Sequence, residues 1–278
     1  MYYNVVLLHP EGCPHTLAVR ETALLLYFSF GSLGLPARLQ VNTLDREAMN
    51  ILVGYHYLRD PSPLDAYHCV IYQLEQLSED ARQGWFTPAA FEALRLVQTV
   101  WDYNLDNVHF LRDKGLSDVR YLPLGFHERL QTIPKNLPRD IDVLFYGSTN
   151  ERRCRILGEL ESQCQLKSVY GVYGPERDAY IARSKIILNV HFHGMQLMEQ
   201  VRITYLLNNG CFVVSEDSAQ NPFDGMIVVT PYDRIVQTCL DYLARDNERK
   251  SIAAHGMEMF QQRPMAANLD RVLSGDGR

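Results

Sequence analysis

The stretch from Ser184 to Glu216 constrains this chain more than any other. It opens with SKIILNV, a continuous apolar run, and passes through the polar turn HFHGMQ. It continues as LMEQVRITYLLNN and, after Gly210, ends in a second apolar run, CFVVSE. A strand, a turn, a helix and a second strand thus occupy roughly 30 residues, the span of one βαβ unit. Strands joined through a helix run parallel, and a parallel sheet is covered on both faces, so its strands are apolar throughout. The spacing predicts an α/β chain.

The same alternation recurs along the whole sequence. NVVLLHP, ARLQVNT, AMNILVGYHYL, YHCVIYQL, TVWDYN and DVRYLPLG read as strands. Between them, helices are predicted over Leu17–Phe30 (ended by Gly31, Gly34 and Pro36), near Pro88–Gln98 and in LDNVHFLRDKG. From Phe126 to Asp140, FHERLQTIPKNLPRD carries two prolines and no periodicity, which suits a linker. After it the pattern restarts with strands in IDVLFYGS, LKSVYGVYG, IILNVHF, GCFVVSE and GMIVVT, and a mostly helical tail breaks near Pro264. Two doubly wound halves are expected: residues 1–126, a linker over 127–140, and residues 141–256.

Bulk properties set bounds on function. With 278 residues and 46% hydrophobic composition the chain can bury a large core. Its net charge of −6 argues against a protein that grips polyphosphate backbones without sequence preference, though a local basic cleft stays open. The six cysteines are scattered without a CxxC, as expected of reduced thiols in a cytoplasmic protein. The N-terminus lacks a basic region, and the apolar stretch around TALLLYFSFGSLGL is interrupted, so neither a signal peptide nor a membrane span is expected.

Ligands of parallel sheets gather beyond the carboxyl ends of the strands. The polar residues at those ends are His9, His15, Glu75, Asp102, His191 and His193. HFH puts both histidines on one face of a strand, yet no carboxylate or thiol follows at ligand spacing, so no metal is expected there. Asp140-Ile141-Asp142 is formally a DxD, but it leads straight into an apolar strand and is discounted as a metal site.

DVLFYGSTNERR, VYGVYG, AYIARSKIILNVHF and EQVRITYLLNNGCFVVSE together resemble the donor-binding domain of GT-B glycosyltransferases, nearest to the CgeB-like or group 1-like bacterial members. The resemblance covers roughly Asp142 to Glu216, and IYQLEQL and VWDYNLDNVHFLRDKG resemble the same group more loosely. It implies two Rossmann-like domains with a nucleotide-sugar in the cleft between them, an acceptor-side domain over 1–126 and a donor domain over 141–256. It also implies that the last helical segment, 257–278, returns to the first domain. Many relatives carry a ribose-binding glutamate three residues after the arginine, where this chain has Tyr205 after Arg202. The EX7E pattern is missing too, because Glu199 is followed eight residues later by Leu207. Glu216 is the substitute considered.

The implied chemistry assigns roles. Cleaving the bond from sugar to diphosphate builds negative charge, which fixed positive potential must meet. The expected donor site is a helix end at Met195–Met198, with His193, Gly194, Met195, Gln196 and Glu199, and with Arg202 one turn on. Gly147, Ser148 and Arg152 (or Arg153) would line the first turn, and Tyr170 and Gly171 the base pocket. A surface Glu199–Arg202 pair is the plain alternative. In an inverting mechanism His15, Glu75 and Asp102 are candidate bases, Glu75 first, its plain alternatives being a helix cap or a pair with Arg82; a retaining mechanism needs no such base. No metal or cofactor is expected; a nucleotide-sugar is the co-substrate, and a saccharide, lipid-linked saccharide or small hydroxyl compound the acceptor. Glycosylation of a hydroxymethylated DNA base, nucleotide-sugar epimerisation, and non-catalytic nucleotide-sugar binding are the alternatives.

Overall fold

Two parallel sheets, each flanked by helices, make up the chain. The computed structural model describes residues 2–80, 87–192 and 197–275. The expectations for His193, Gly194, Met195 and Gln196 lie outside them. Two units result: Met1–His127 with Arg263–Arg278, and Glu128–Gln262.

The first unit contains β1 (Tyr2–Leu7), α1 (Arg20–Ser32), β2 (Ala37–Val41), β3 (Ala48–Val53), β4 (Cys69–Gln73), α2 (Pro88–Leu96), β5 (Thr99–Asp102), α3 (Leu105–Asp113) and β6 (Val119–Tyr121). Its sheet order is β2-β1-β3-β4-β5-β6, every pair parallel. Each residue of β4 is buried, as a central strand covered on both faces requires. Val6, Leu52, Ile71, Val100 and Leu111 share one core cluster; each such side chain contributes about 1.5–3 kcal/mol relative to exposure. The predicted helix over Leu17–Phe30 is corrected at both ends. Pro14–Val19 forms a tight 3₁₀ turn, α1 starts at Arg20, and Gly31 lies inside it, the left-handed stop coming at Gly34.

The second unit contains β7 (Ile141–Tyr146), α4 (Glu151–Glu161), β8 (Leu166–Val169), α5 (Gly174–Ala182), β9 (Ser184–Asn189), α6 (Gln200–Asn208), β10 (Val213–Glu216), β11 (Val228–Thr230), α7 (Ile235–Leu243) and α8 (Asp246–Gln261). The order is β11-β10-β9-β7-β8. From β7 the chain moves to β8 on one side and then to β9 on the other, which makes the carboxyl ends of β7 and β9 the switch point of the sheet. Helix α6 begins at Gln200, after Leu197 and Met198, the described residues of the predicted first turn. Leu197 and Met198 are buried ahead of it, the Gln200 amide turns back to the Met198 carbonyl (2.8 Å), and helical geometry starts only at Gln200.

The presumed linker is packed. Leu130 and Ile133 are buried, and the Asn209 side chain donates to the Leu130 carbonyl (2.9 Å) and accepts from the Ile133 amide (3.0 Å). The tail is also corrected. Helix α8 carries residues 257–261 within the second unit, and the return to the first starts at Arg263, followed by α9 (Met265–Leu273). The Phe126 amide donates to the Arg263 carbonyl (2.8 Å) and the Met265 amide to the Phe126 carbonyl (2.9 Å), and Met265, Leu269 and Val272 are buried as α9 packs on α1. Among the described residues no helix is long and apolar enough to cross a membrane.

The returning segment approaches Gly125 so closely that a Cβ there would lie 2.6 Å from the Arg263 carbonyl and 2.8 Å from the Met265 amide. Gly125→Ala is expected to cost about 2 kcal/mol by overpacking. Gly158→Ala, on the open face of α4 with nothing within 4 Å, should be neutral or stabilising by up to about 1 kcal/mol. Chemical denaturation of the two variants checks the contrast.

Candidate functional site

The switch point of the second sheet is where the chain concentrates charge. β7 ends at Tyr146, and Gly147 follows at φ +136°, a conformation that favours glycine. A Cβ on Gly147 would lie 2.7 Å from Arg202 Nη2, so the glycine leaves room for the guanidinium to rest on the strand end. Arg202 Nη1 donates to Asn189 Oδ1 at 2.8 Å, and the guanidinium carbon stands 4.9 Å from the Tyr146 ring centre. Asn189, the last residue of β9, is fully buried.

Beside it lies a compact ionic cluster. The Glu199 carboxylate accepts from Asn189 Nδ2 (2.8 Å), His191 Nδ1 (2.9 Å) and Arg153 Nη2 (3.3 Å). Burial alone would raise its pKa; the His191 hydrogen bond and the charges of His191, Arg202 and Arg153 overcome that and hold it at about 2. The other ring nitrogen of His191 donates to the Asp217 carbonyl (2.8 Å). Both nitrogens face acceptors, so the imidazole is doubly protonated. Its burial opposes that charge, but the bond and charge of Glu199 outweigh it and raise the pKa above 6.5. Arg153 donates to the carbonyls of Val190 and Ser148, and burial followed by repulsion from Arg202 lowers it to about 10. Arg152 forms a two-pronged ion pair with Glu216, itself buried and bonded to the His191 amide (3.0 Å), and stacks on Tyr232 at 3.9 Å.

Four cations thus meet two carboxylates, and the excess is positive. Among the described residues, Arg202 is the cation of this cluster with no carboxylate partner; its side-chain hydrogen bond goes to a neutral amide. The surface Glu199–Arg202 pair is corrected accordingly: the two side chains are joined through Asn189, because Glu199 turns inward to His191. Both oxygens of Glu216 are already engaged.

The remaining donor-side expectations scatter. Ser148 is exposed and contributes its carbonyl; Tyr170 is exposed after β8, followed by left-handed Gly171. Tyr205, where relatives carry glutamate, is buried, donates to Asp178 (2.7 Å) and meets Thr132 (2.8 Å), so it belongs to the core. Asp140 pairs with Arg183 and Asp142 with Lys185 at the amino end of β7, the opposite end from Gly147. His191, with both nitrogens bonded, has no lone pair to offer a metal.

In the first unit the three candidate bases differ sharply. His15 sits half-buried in the turn after β1. Asp102 is fully buried; it accepts from Gln73 Nε2 (3.0 Å), Asn107 Nδ2 (3.2 Å) and the Asn104 amide (2.8 Å), and burial raises its pKa well above the carboxylate range. Glu75 is different. Its backbone is clamped by Gln73 (amide 2.6 Å, carbonyl 2.6 Å) and Asn107 (2.8 Å), while its side chain stays 28% exposed. Its Oε1 lies 3.4 Å from Nε2 of His56, and burial raises its pKa to about 7. Burial drives His56 down to about 4, so that ring is neutral. The partner proposed for Glu75 in sequence, Arg82, falls outside the described residues.

Sequence reasoning missed Asn189, Gln73, Asn107 and His56. The available signal was a polar residue at the end of an apolar run, as in IILNV and VIYQL.

No known protein-family model matches the chain. An uncharacterized protein of Acanthamoeba polyphaga mimivirus is 31% identical over 166 residues, covering 54% of this chain and 52% of the relative. A second from the same virus is 28% identical over 158 residues, or 52% of this chain and 18% of its own length. The chain therefore spans about half or less of these curated relatives. Among solved structures, TarM superposes with a TM-score of 0.56 at 10% identity, covering 82% of this chain and 54% of that one. The pneumococcal O-GlcNAc transferase GtfA, in complex with UDP and GlcNAc, gives 0.52 at 9% identity, with 90% and 58% covered. An α1,3-fucosyltransferase with GDP-fucose gives 0.51 at 8% identity, with 99% and 90% covered. These likenesses show the fold. The chain has the two-domain α/β architecture of GT-B glycosyltransferases.

The His191–Glu199 pair makes stability pH-dependent. His191 has a raised pKa in the folded chain, so its contribution is complete below about 6.5 and is lost as pH rises through the folded value. His191→Gln should destabilise the chain by about 2 kcal/mol near pH 6, the size of a charged hydrogen bond. The gap to wild type should then shrink toward pH 9, as measured by thermal melts across that range.

Proposed function

We propose that this chain transfers a sugar from a nucleotide-sugar donor to an acceptor hydroxyl. The observation that carries the reading is Arg202, a guanidinium seated against Gly147 at the sheet's switch point, without a carboxylate partner among the described residues. A cation left in that condition beside an excess of positive charge is suited to a diphosphate. Helix α6, which carries Arg202, opens two residues before it without a side-chain cap and adds the positive end of its dipole. The named neighbours support the donor class: GtfA is bound to UDP and the fucosyltransferase to GDP-fucose.

In this reading the acceptor oxygen forms a bond to the anomeric carbon as the carbon–phosphate oxygen bond breaks. The electron pair leaves on the diphosphate, where Arg202 and the α6 amides receive it. The acceptor proton passes to Glu75, which burial holds at about 7, close to where a general base works at neutral pH.

Two outcomes test this. UDP- and GDP-sugars should raise the melting temperature of the wild-type chain by mass action, and Arg202→Ala should remove most of the rise. If none of these donors shifts the wild-type melt, the reading fails. Turnover should climb with pH through about 7, as Glu75 loses its proton. Glu75→Gln should lower it about a hundredfold at unchanged donor affinity, and equal losses in both would retire Glu75 as the base.

A further inference from the structure

Arg202 would be of little use to an anion if its guanidinium wandered, and the structure shows what holds it. Asn189 is wholly buried, and its amide has two distinguishable ends. Nδ2 donates to Glu199 Oε2 at 2.8 Å and to Ser215 Oγ at 3.0 Å, so the oxygen must face the other way, toward Arg202 Nη1 at 2.8 Å. The carboxylate thereby fixes which end of the amide Arg202 meets. Glu199 is in turn pinned by His191 and Arg153, so the chain of bonds begins at buried charges and ends at the guanidinium.

The geometry points to Asn189 as a positioning residue. It orients Arg202 toward the diphosphate of the donor without neutralising it, with Glu199 and His191 fixing the amide. This rests on the reading of Arg202 given above. The choice of an amide matters. An aspartate at the same place would hold Arg202 equally well but would cancel its charge, and it would stand a hydrogen-bond length from Glu199, where like charges repel. An alanine would leave Arg202 untethered. A neutral acceptor with a fixed direction anchors the cation and leaves its charge for the ligand.

The test is a double-mutant cycle on binding, read by calorimetry with UDP and GDP and with the bare nucleosides uridine and guanosine as probes. Asn189→Ala should weaken diphosphate binding about tenfold, the size of one coupling between contacting residues, and leave nucleoside binding unchanged. In the Arg202→Ala background the same substitution should cost almost nothing, because its effect passes through the arginine. Asn189→Asp is expected to lose at least as much diphosphate affinity; thermal melts check that each variant folds, and Asn189→Ser, which adds no charge beside Glu199 and is expected to lose about as much as alanine, replaces a variant that does not. Additive losses in the cycle, an equal loss of nucleoside binding, or wild-type affinity in Asn189→Asp would overturn the positioning role. If Arg202→Ala binds UDP and GDP as wild type does, or if wild type binds neither, the reading of Arg202 itself falls, an outcome distinct from additivity.

Discussion

The second unit depends on one carboxylate. Glu199 accepts hydrogen bonds from a histidine, an amide and an arginine at once, and it does so with its side chain mostly withdrawn from water. Burying Arg153 and a doubly protonated His191 would be prohibitive without such a partner, because an uncompensated buried charge costs several kcal/mol. Glu216 performs the same service for Arg152. The arrangement can carry a surplus cation only because these two anions satisfy the rest. Placing Arg202 next to a satisfied cluster, and tying it to an amide, keeps it charged and keeps it still.

Much of this was legible in the sequence, and the reasons it stopped are physical. Continuous apolar runs separated by helical lengths announce a parallel sheet, the polar turn after IILNV drew attention to His191, and helical spacing with the family resemblance singled out Glu199 and Arg202. Asn189 and Gln73 were passed over because a single polar residue at the end of an apolar run looks like the edge of a strand. Only the fold shows that Asn189 faces Glu199 and Arg202, or that Gln73 and Asn107 bind the backbone of Glu75 while Asp102 binds both of them. The start of α6 was misjudged for a related reason. Leu197 and Met198 continue the apolar spacing of the helix, but they are buried before it begins, in a turn whose polar anchor is Glu199. Tyr205 was a departure without an evident use in sequence; the structure gives it a core partner in Asp178.

The two units set up a comparison that separates burial from electrostatics. Glu75 and Glu199 are both carboxylates at the carboxyl ends of parallel strands, and burial pushes both toward the neutral form. Glu199 nevertheless stays ionised to about pH 2, since cations supply what water no longer does. Among the described residues Glu75 meets neutral groups: an uncharged His56, and the amides of Gln73 and Asn107, which bind its backbone. Its proton therefore equilibrates near neutrality. The neighbours decide, and burial only sets the stakes.

In the transfer proposed above, that difference divides the labour of the reaction. A carboxylate held at about 2 cannot exchange protons in water of ordinary pH, and so serves as fixed charge; one held at about 7 can gain and lose a proton at little cost. The proposed transfer, with Glu75 as its base, uses both behaviours, a rigid field for the leaving group and a labile site for the acceptor's proton. Exchanging the two environments would destroy each: cations around Glu75 would lock it as an anion too weak to take a proton, while neutral partners around Glu199 would protonate it and strand Arg153 and His191. The distribution of arginines is accordingly as informative as that of the acids, and in the described residues the arginines gather around the acid that must stay charged.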